Sequence, residues 1–191
     1  MLTVLVIDES RSRAGEICAG LALAGYQVAA ILAGSENLTA EVEKLQPDVI
    51  LIDTDSPSRD TLENLAAMNK NMPRPVVIFT QEDGQATIRD AVRAGVSAYI
   101  VDGLDSRRIK PIVEVARARF EDTQALRREL DEISQKLSDR KLVDKAKGVL
   151  MKARGIDEDA AYHAMRKLAM ERGQTMAKVA RDVIDMARVL L

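Results

Sequence analysis

The chain has 191 residues, enough for one large domain or for two small ones that each bury a core. Its formal net charge of −2 excludes polyanion binding by the molecule as a whole, and its single cysteine excludes an internal disulfide. No apolar run approaches the roughly 20 residues of a membrane span, and the opening MLTVLVIDES has no basic leader, so no membrane partner and a cytoplasmic location are expected.

Between Thr3 and Val101, short runs rich in Val and Ile alternate with stretches of helical spacing. Residues 3–7, 27–32, 49–52, 76–79 and 98–101 predict strands, because they are too short and too β-branched for helices. Residues 11–24, 37–45, 60–71 and 85–94 predict helices, with Gly25, Pro47, Pro73 and Gly95 as their terminators. Strands that are apolar almost throughout, each followed by a helix, imply a parallel sheet covered on both faces. Cys18 falls in an apolar helical pattern and reads as a small buried residue.

After Leu104 the pattern becomes one long helix, with Pro111 in its first turns and no further Gly or Pro before Gly148. Within it Ile109, Ile112, Ala116, Arg119, Thr123, Leu126, Leu130, Ile133 and Leu137 alternate steps of three and four. That is an imperfect heptad seam and predicts a two-stranded coiled coil, hence a homodimer. The alternative is a helix laid on its own domain.

Three shorter amphipathic helices follow at 142–153, 158–171 and 176–190, with Asp157 and Thr175 as caps and Gly155 and Gly173 as terminators. Residues 139–191 hold 12 Lys and Arg against 8 Asp and Glu, leaving 16 against 22 for the rest. The net +4 of this tail beside the −6 of the front points to a regulatory module joined to a part that touches polyanions. Lys145, Lys147, Arg154, Arg166, Lys167, Arg172 and Lys178 are candidate phosphate contacts, with Thr175 as cap and phosphate ligand. Tyr162, the one aromatic of the tail, stacks on an unpaired base or fills the bundle core. His163, the only histidine, has no companion for metal binding.

In the front part, open parallel sheets present their carboxyl ends to a shared crevice where ligands bind. Asp8, Glu9, Asp53 and Thr80 end strands there. Carboxylates of this kind suit Mg²⁺ and a phosphoryl group, with Asp53 able to attack phosphorus and the Thr80 hydroxyl able to bond the product. No cofactor is required otherwise, and no enzymatic activity of its own is expected.

The acidic pair in VLVIDES, the DTDSP run, the VVIFT strand and AGVSAY resemble the response-regulator receiver domain over about residues 1–120. The resemblance makes Asp53 the phosphoacceptor-like residue, Asp8, Glu9 and Asp53 the acidic metal pocket, and Thr80 and Tyr99 the switch pair. It also exposes a departure: YIVDGL puts Asp102 where receivers carry a lysine that pairs with the aspartyl phosphate. A carboxylate there repels a phosphoryl group, so control by a partner protein is expected in place of phosphorylation.

The stretch from KLVDKAKGVLMKARGIDEDAAY through MRKLAMERG to KVARDVI resembles the ANTAR domain, and the whole arrangement resembles the nitrate-assimilation antiterminators of the NasT type and their amide-responsive relatives. The resemblance implies a homodimer that binds paired hairpin loops in leader mRNA and so prevents a terminator from forming. It implies as well an inhibitory nitrate-sensor protein as partner. Two alternatives stay open: a phosphorylation-controlled two-component response regulator with a DNA-binding output, and a phosphorylation-driven protein-interaction module. The expected architecture is α/β then all-α. It comprises a receiver-like doubly wound five-stranded parallel sheet in residues 1–120, a long coiled-coil helix at 104–138, and a C-terminal three-helix ANTAR bundle at 139–191.

Overall fold

The computed structural model describes residues 1–8, 13–101, 105 and 107–190, apart from the side chains of residues 189 and 190. It divides into two compact units, Met1–Gln124 and Ala125–Leu191. The expectations placed on Glu9 and Asp102 lie outside the described residues.

The first unit is built on β1 (Thr3–Asp8), β2 (Gln27–Leu32), β3 (Val49–Asp53), β4 (Val76–Thr80) and β5 (Ala98–Val101). All are parallel, in the order β2-β1-β3-β4-β5. Successive side chains of a strand point to opposite faces, and here both faces are apolar. Leu5, Ile7, Ile50, Ile52 and Ile78 turn toward α2 (Leu38–Leu45), α3 (Arg59–Asn71) and α4 (Gln85–Arg93), where Val42, Leu65, Met68 and Ala91 meet them. Val4, Val6, Val49, Leu51, Val77 and Phe79 turn the other way, onto Ile17 and Leu21 of α1 (Ala14–Leu23) and onto Ile109, Val113 and Ala116 of α5 (Ile109–Arg154). Each such side chain removed from water contributes roughly 1.5–3 kcal/mol, which is why the sheet pattern is so strict.

The helix ends follow turn chemistry. Gly95 closes α4 with φ 92°, and a Cβ there would lie 2.6 Å from the Asn69 amide nitrogen. That amide donates to the Ala94 carbonyl at 2.8 Å, so a glycine is required both by φ and by the close approach.

Three expectations need correction. Cys18 is half-buried, at the edge of the Ile17 and Leu21 stripe, not enclosed. The long helix and the first short helix are one continuous element of 46 residues, α5, which begins at Ile109. Nothing between residues 138 and 141 breaks a helix, and the single interior Gly148 costs only about 1 kcal/mol relative to Ala. The seam also serves two purposes. Ile109 and Ala116 are fully buried in the first unit and Ile112 packs on them, whereas Leu126, Leu130, Ile133 and Leu137 are 54–66% exposed. A helix packed on its own domain therefore describes the first turns of α5, and the unpartnered apolar row begins only at Leu126.

The second unit joins the last turns of α5 to α6 (Glu158–Arg172) and α7 (Met176–Leu190). Ala146, Met165, Ala169, Val179, Ala180 and Ile184 form its core, flanked by Leu142, Val143, Leu150, Leu168, Met176 and Val183. Asp157 accepts from the Ala160 amide at 2.7 Å and Thr175 from the Lys178 amide at 3.2 Å, so both expected caps form. Gly173 ends α6 in the left-handed region at φ 60°.

Candidate functional site

In the first unit the register of β1 on β3 places Asp8 directly beside Asp53 at the carboxyl ends of the central strands. Both side chains are buried, Asp53 completely. Two adjacent buried carboxylates repel each other and lose solvation, which favours a cation nearby. Among the described residues, the cation on Asp53 is Arg13. Its Nε lies 2.8 Å from Asp53 Oδ2, and its Nη2 donates to Asp55 Oδ1 at 3.2 Å. The contact with Asp53 is a close ion pair, not an aligned hydrogen bond, and Asp53 Oδ1 has no hydrogen-bond partner among the described residues. Burial pushes the Asp53 carboxyl above its ordinary range, Arg13 pulls it down, and Asp8 and Asp55 push it up again.

Arg13 reaches this position because α1 starts later than the sequence pattern suggests. The residue stands at the N-cap with φ −114° and ψ 0°, outside the helix. Its side chain is therefore free to cross from the β1–α1 connection to the β3–α3 connection.

Thr80 and Tyr99, the expected switch pair, converge on one residue. The Thr80 hydroxyl donates to the Asp55 carbonyl at 2.9 Å and accepts from the Glu82 amide at 3.1 Å. The Tyr99 hydroxyl donates to the Glu82 carbonyl at 3.0 Å. Burial raises the Tyr99 phenol above its ordinary value. Thr80 is thus at the end of β4 as expected, with its hydroxyl committed to backbone groups. Arg13, Asp55 and Glu82 were missed because their roles depend on side chains meeting across loops, for which no local spacing is a signal.

Asp8 and Asp53 are two carboxylates of the kind that hold Mg²⁺, and Glu9, the third of the expected pocket, lies outside the described residues. Among the described residues no group of three His, Cys, Asp or Glu side chains is arranged to hold a metal, and a guanidinium already lies against Asp53.

In the second unit the candidate cations fall into two groups. Lys145, Arg154, Arg166 and Arg172 are exposed and make no ion pair among the described residues. Lys141 and Lys152 share a stripe of α5 with Lys145 and are also exposed, with no ion pair among the described residues. Lys147 is different. Its ammonium lies 2.7 Å from Asp144 and 2.6 Å from Glu158, with only 14% of the side chain exposed. Hydrogen bonds to these two carboxylates raise its pKa and tie the end of α5 to the start of α6. Lys178 pairs with Asp182 at 2.9 Å, and Lys167 makes a long 3.9 Å contact with Glu171. Tyr162 is exposed, edge-on to His163 at 6.0 Å, and lies one turn from Arg166 on α6.

A family model described as response regulator receiver domain matches residues 4–114, and one described as ANTAR domain matches residues 131–184. The chain is 29% identical over 161 residues to the transcriptional regulatory protein PdtaR of Mycobacterium tuberculosis, across 84% of this chain and 78% of that protein. It is 35% identical over 83 residues to the nitrate regulatory protein of Klebsiella oxytoca, across 44% of this chain and 21% of that one. Among solved structures, a CheY-like response regulator receiver domain protein from Methanospirillum hungatei superposes with a TM-score of 0.56 at 20% identity, covering 64% of this chain and 98% of that one. At that identity the likeness speaks for the fold alone.

Proposed function

Because the chain belongs to the response-regulator receiver family and carries an ANTAR domain after its receiver, we propose that it is a dimeric transcription antiterminator that grips paired hairpin loops in a leader mRNA. The observation that carries this reading is that Lys145, Arg154, Arg166 and Arg172 are exposed without an ion pair among the described residues, on the same small three-helix unit as exposed Tyr162. Free cations release counterions from a phosphate backbone, and an exposed aromatic stacks on a base that a loop leaves unpaired. Lys167, Lys178 and Thr175 join the interface at its margin, and Lys147 acts as an internal clamp.

The bare row Leu126, Leu130, Ile133 and Leu137 supports dimerisation through a second copy of α5. Asp122 and Arg127 flank that row at positions where opposite charges meet across a parallel helix pair. Two RNA modules on one dimer raise avidity through effective concentration. Stabilising the hairpin conformer then depopulates the terminator conformer. The name of the Klebsiella relative favours a nitrate-responsive operon, and the proposal extends this to nitrate or nitrite assimilation genes held in check by an inhibitory nitrate-sensor protein.

The test is binding of the full chain to an RNA of two linked small-loop hairpins over a salt series, beside duplex DNA at equal salt. Binding to RNA alone is expected. Arg166→Ala and Arg172→Ala should each weaken it and flatten the log–log salt slope by about 0.7–0.9. Equal affinity for the DNA duplex would favour a DNA-binding output, and RNA binding unchanged in both variants would remove these arginines from the interface.

A further inference from the structure

Asp8 and Asp53 lie side by side at the strand ends, both buried, so the fold needs a positive charge at this spot whether or not anything binds there. Receivers as a class commonly meet that need with Mg²⁺. Here the Arg13 side chain, 28% exposed, reaches from the N-cap of α1 to bridge Asp53 of β3 and Asp55 just beyond it. A planar guanidinium presents donors in two directions and is never deprotonated, which suits it to sit permanently between two carboxylates.

We propose that the Arg13 guanidinium is the resident counter-ion of Asp53, standing where a divalent metal would meet this carboxylate and excluding that metal from it. Three consequences follow from the geometry. The charge of Asp53 is partly offset without a cofactor, Arg13 is tied to both Asp53 and Asp55, and Asp53 is shielded on the side of Oδ2. A receiver built this way is set by protein contacts, not by metal-dependent phosphoryl transfer. The role of Arg13 is independent of what the C-terminal bundle binds.

Mg²⁺ is the probe, titrated into the full chain by calorimetry and in thermal melts. The parent protein should show no saturable binding and no change in melting temperature up to about 10 mM Mg²⁺. Arg13→Gln, which keeps length and polarity but removes the charge, should gain saturable binding at least about tenfold tighter and a melting temperature that rises with Mg²⁺. Mg²⁺ binding to the parent protein as tight as to the variant would overturn the proposal, as would a folded variant that gains none. A merely structural Arg13 is separated by a double-mutant cycle with Asp53→Asn, measured without metal. The loss on removing Arg13 should shrink in the Asp53→Asn background, and an equal loss in both backgrounds refutes the counter-ion role. If Arg13→Gln alone fails to fold, the Asp53→Asn/Arg13→Gln protein supplies the same decision. Recovery of folding supports the charge pairing, and continued failure contradicts it.

Discussion

Tyr26 shows how much one side chain settles where the root of a long helix sits. It is 4% exposed, and its hydroxyl donates to Glu114 Oε1 of α5 at 2.8 Å. Burial first, and the bond to Glu114 second, push its phenol up to about 12 from 10.0. Between those values the unfolded chain has released the proton and the folded chain still holds it, so stability falls as pH rises through that window. Tyr26→Phe should cost about 1 kcal/mol at neutral pH through the lost hydrogen bond and should flatten the alkaline decline. Urea melts at neutral pH and across pH 10–12 check both, and parallel curves for parent and variant would contradict the assignment. The partner of Tyr26 lies 88 residues away, so no local pattern announces the bond. The same is true of Arg13, which reads as part of a helix in the sequence yet works from a position just before it.

Helices α5 and α6 separate two jobs that the sequence merges in a single cluster of lysines. Lys147 ties the end of α5 to the first turn of α6, whereas Lys145 faces solvent without an ionic partner among the described residues. Lys147→Met should therefore lower the melting temperature of the bundle and leave the salt slope of RNA binding unchanged. Lys145→Ala should do the reverse, reducing the slope by about 0.7 with stability nearly constant. Thermal melts of the second unit and the salt series of each variant decide the matter. The apolar row makes its own prediction. Leu130→Asp with Leu137→Asp places charges where a second copy of α5 would pack, so sedimentation should report a monomer, with affinity for linked hairpins down by about 100-fold. A variant that stays dimeric would move the interface elsewhere. Strand limits, glycine stops and the Asp157 and Thr175 caps were legible because each depends on a few neighbouring residues. The union of two expected helices into α5 was not, since only the lack of a breaker near residue 140 decides it.

Taken whole, the chain keeps its strict apolar patterning in the sheet and its excess of positive charge in residues 139–191. The sheet order, the pairing of Asp8 with Asp53 and the three-helix tail follow from patterning that the sequence displays openly. What the carboxylates do follows from the loops, and there the decisive cation was hidden. The bundle carries a different consequence. Three of its six core residues are alanines, Ala146, Ala169 and Ala180, so few methylene groups are shielded from solvent. Alanine lets helices approach closely but contributes little transfer energy, whereas the sheet is sealed by Leu, Ile and Val on both sides. Warming should thus melt the bundle before the receiver, and any RNA contact it makes should weaken at a lower temperature than the one at which the sheet unfolds.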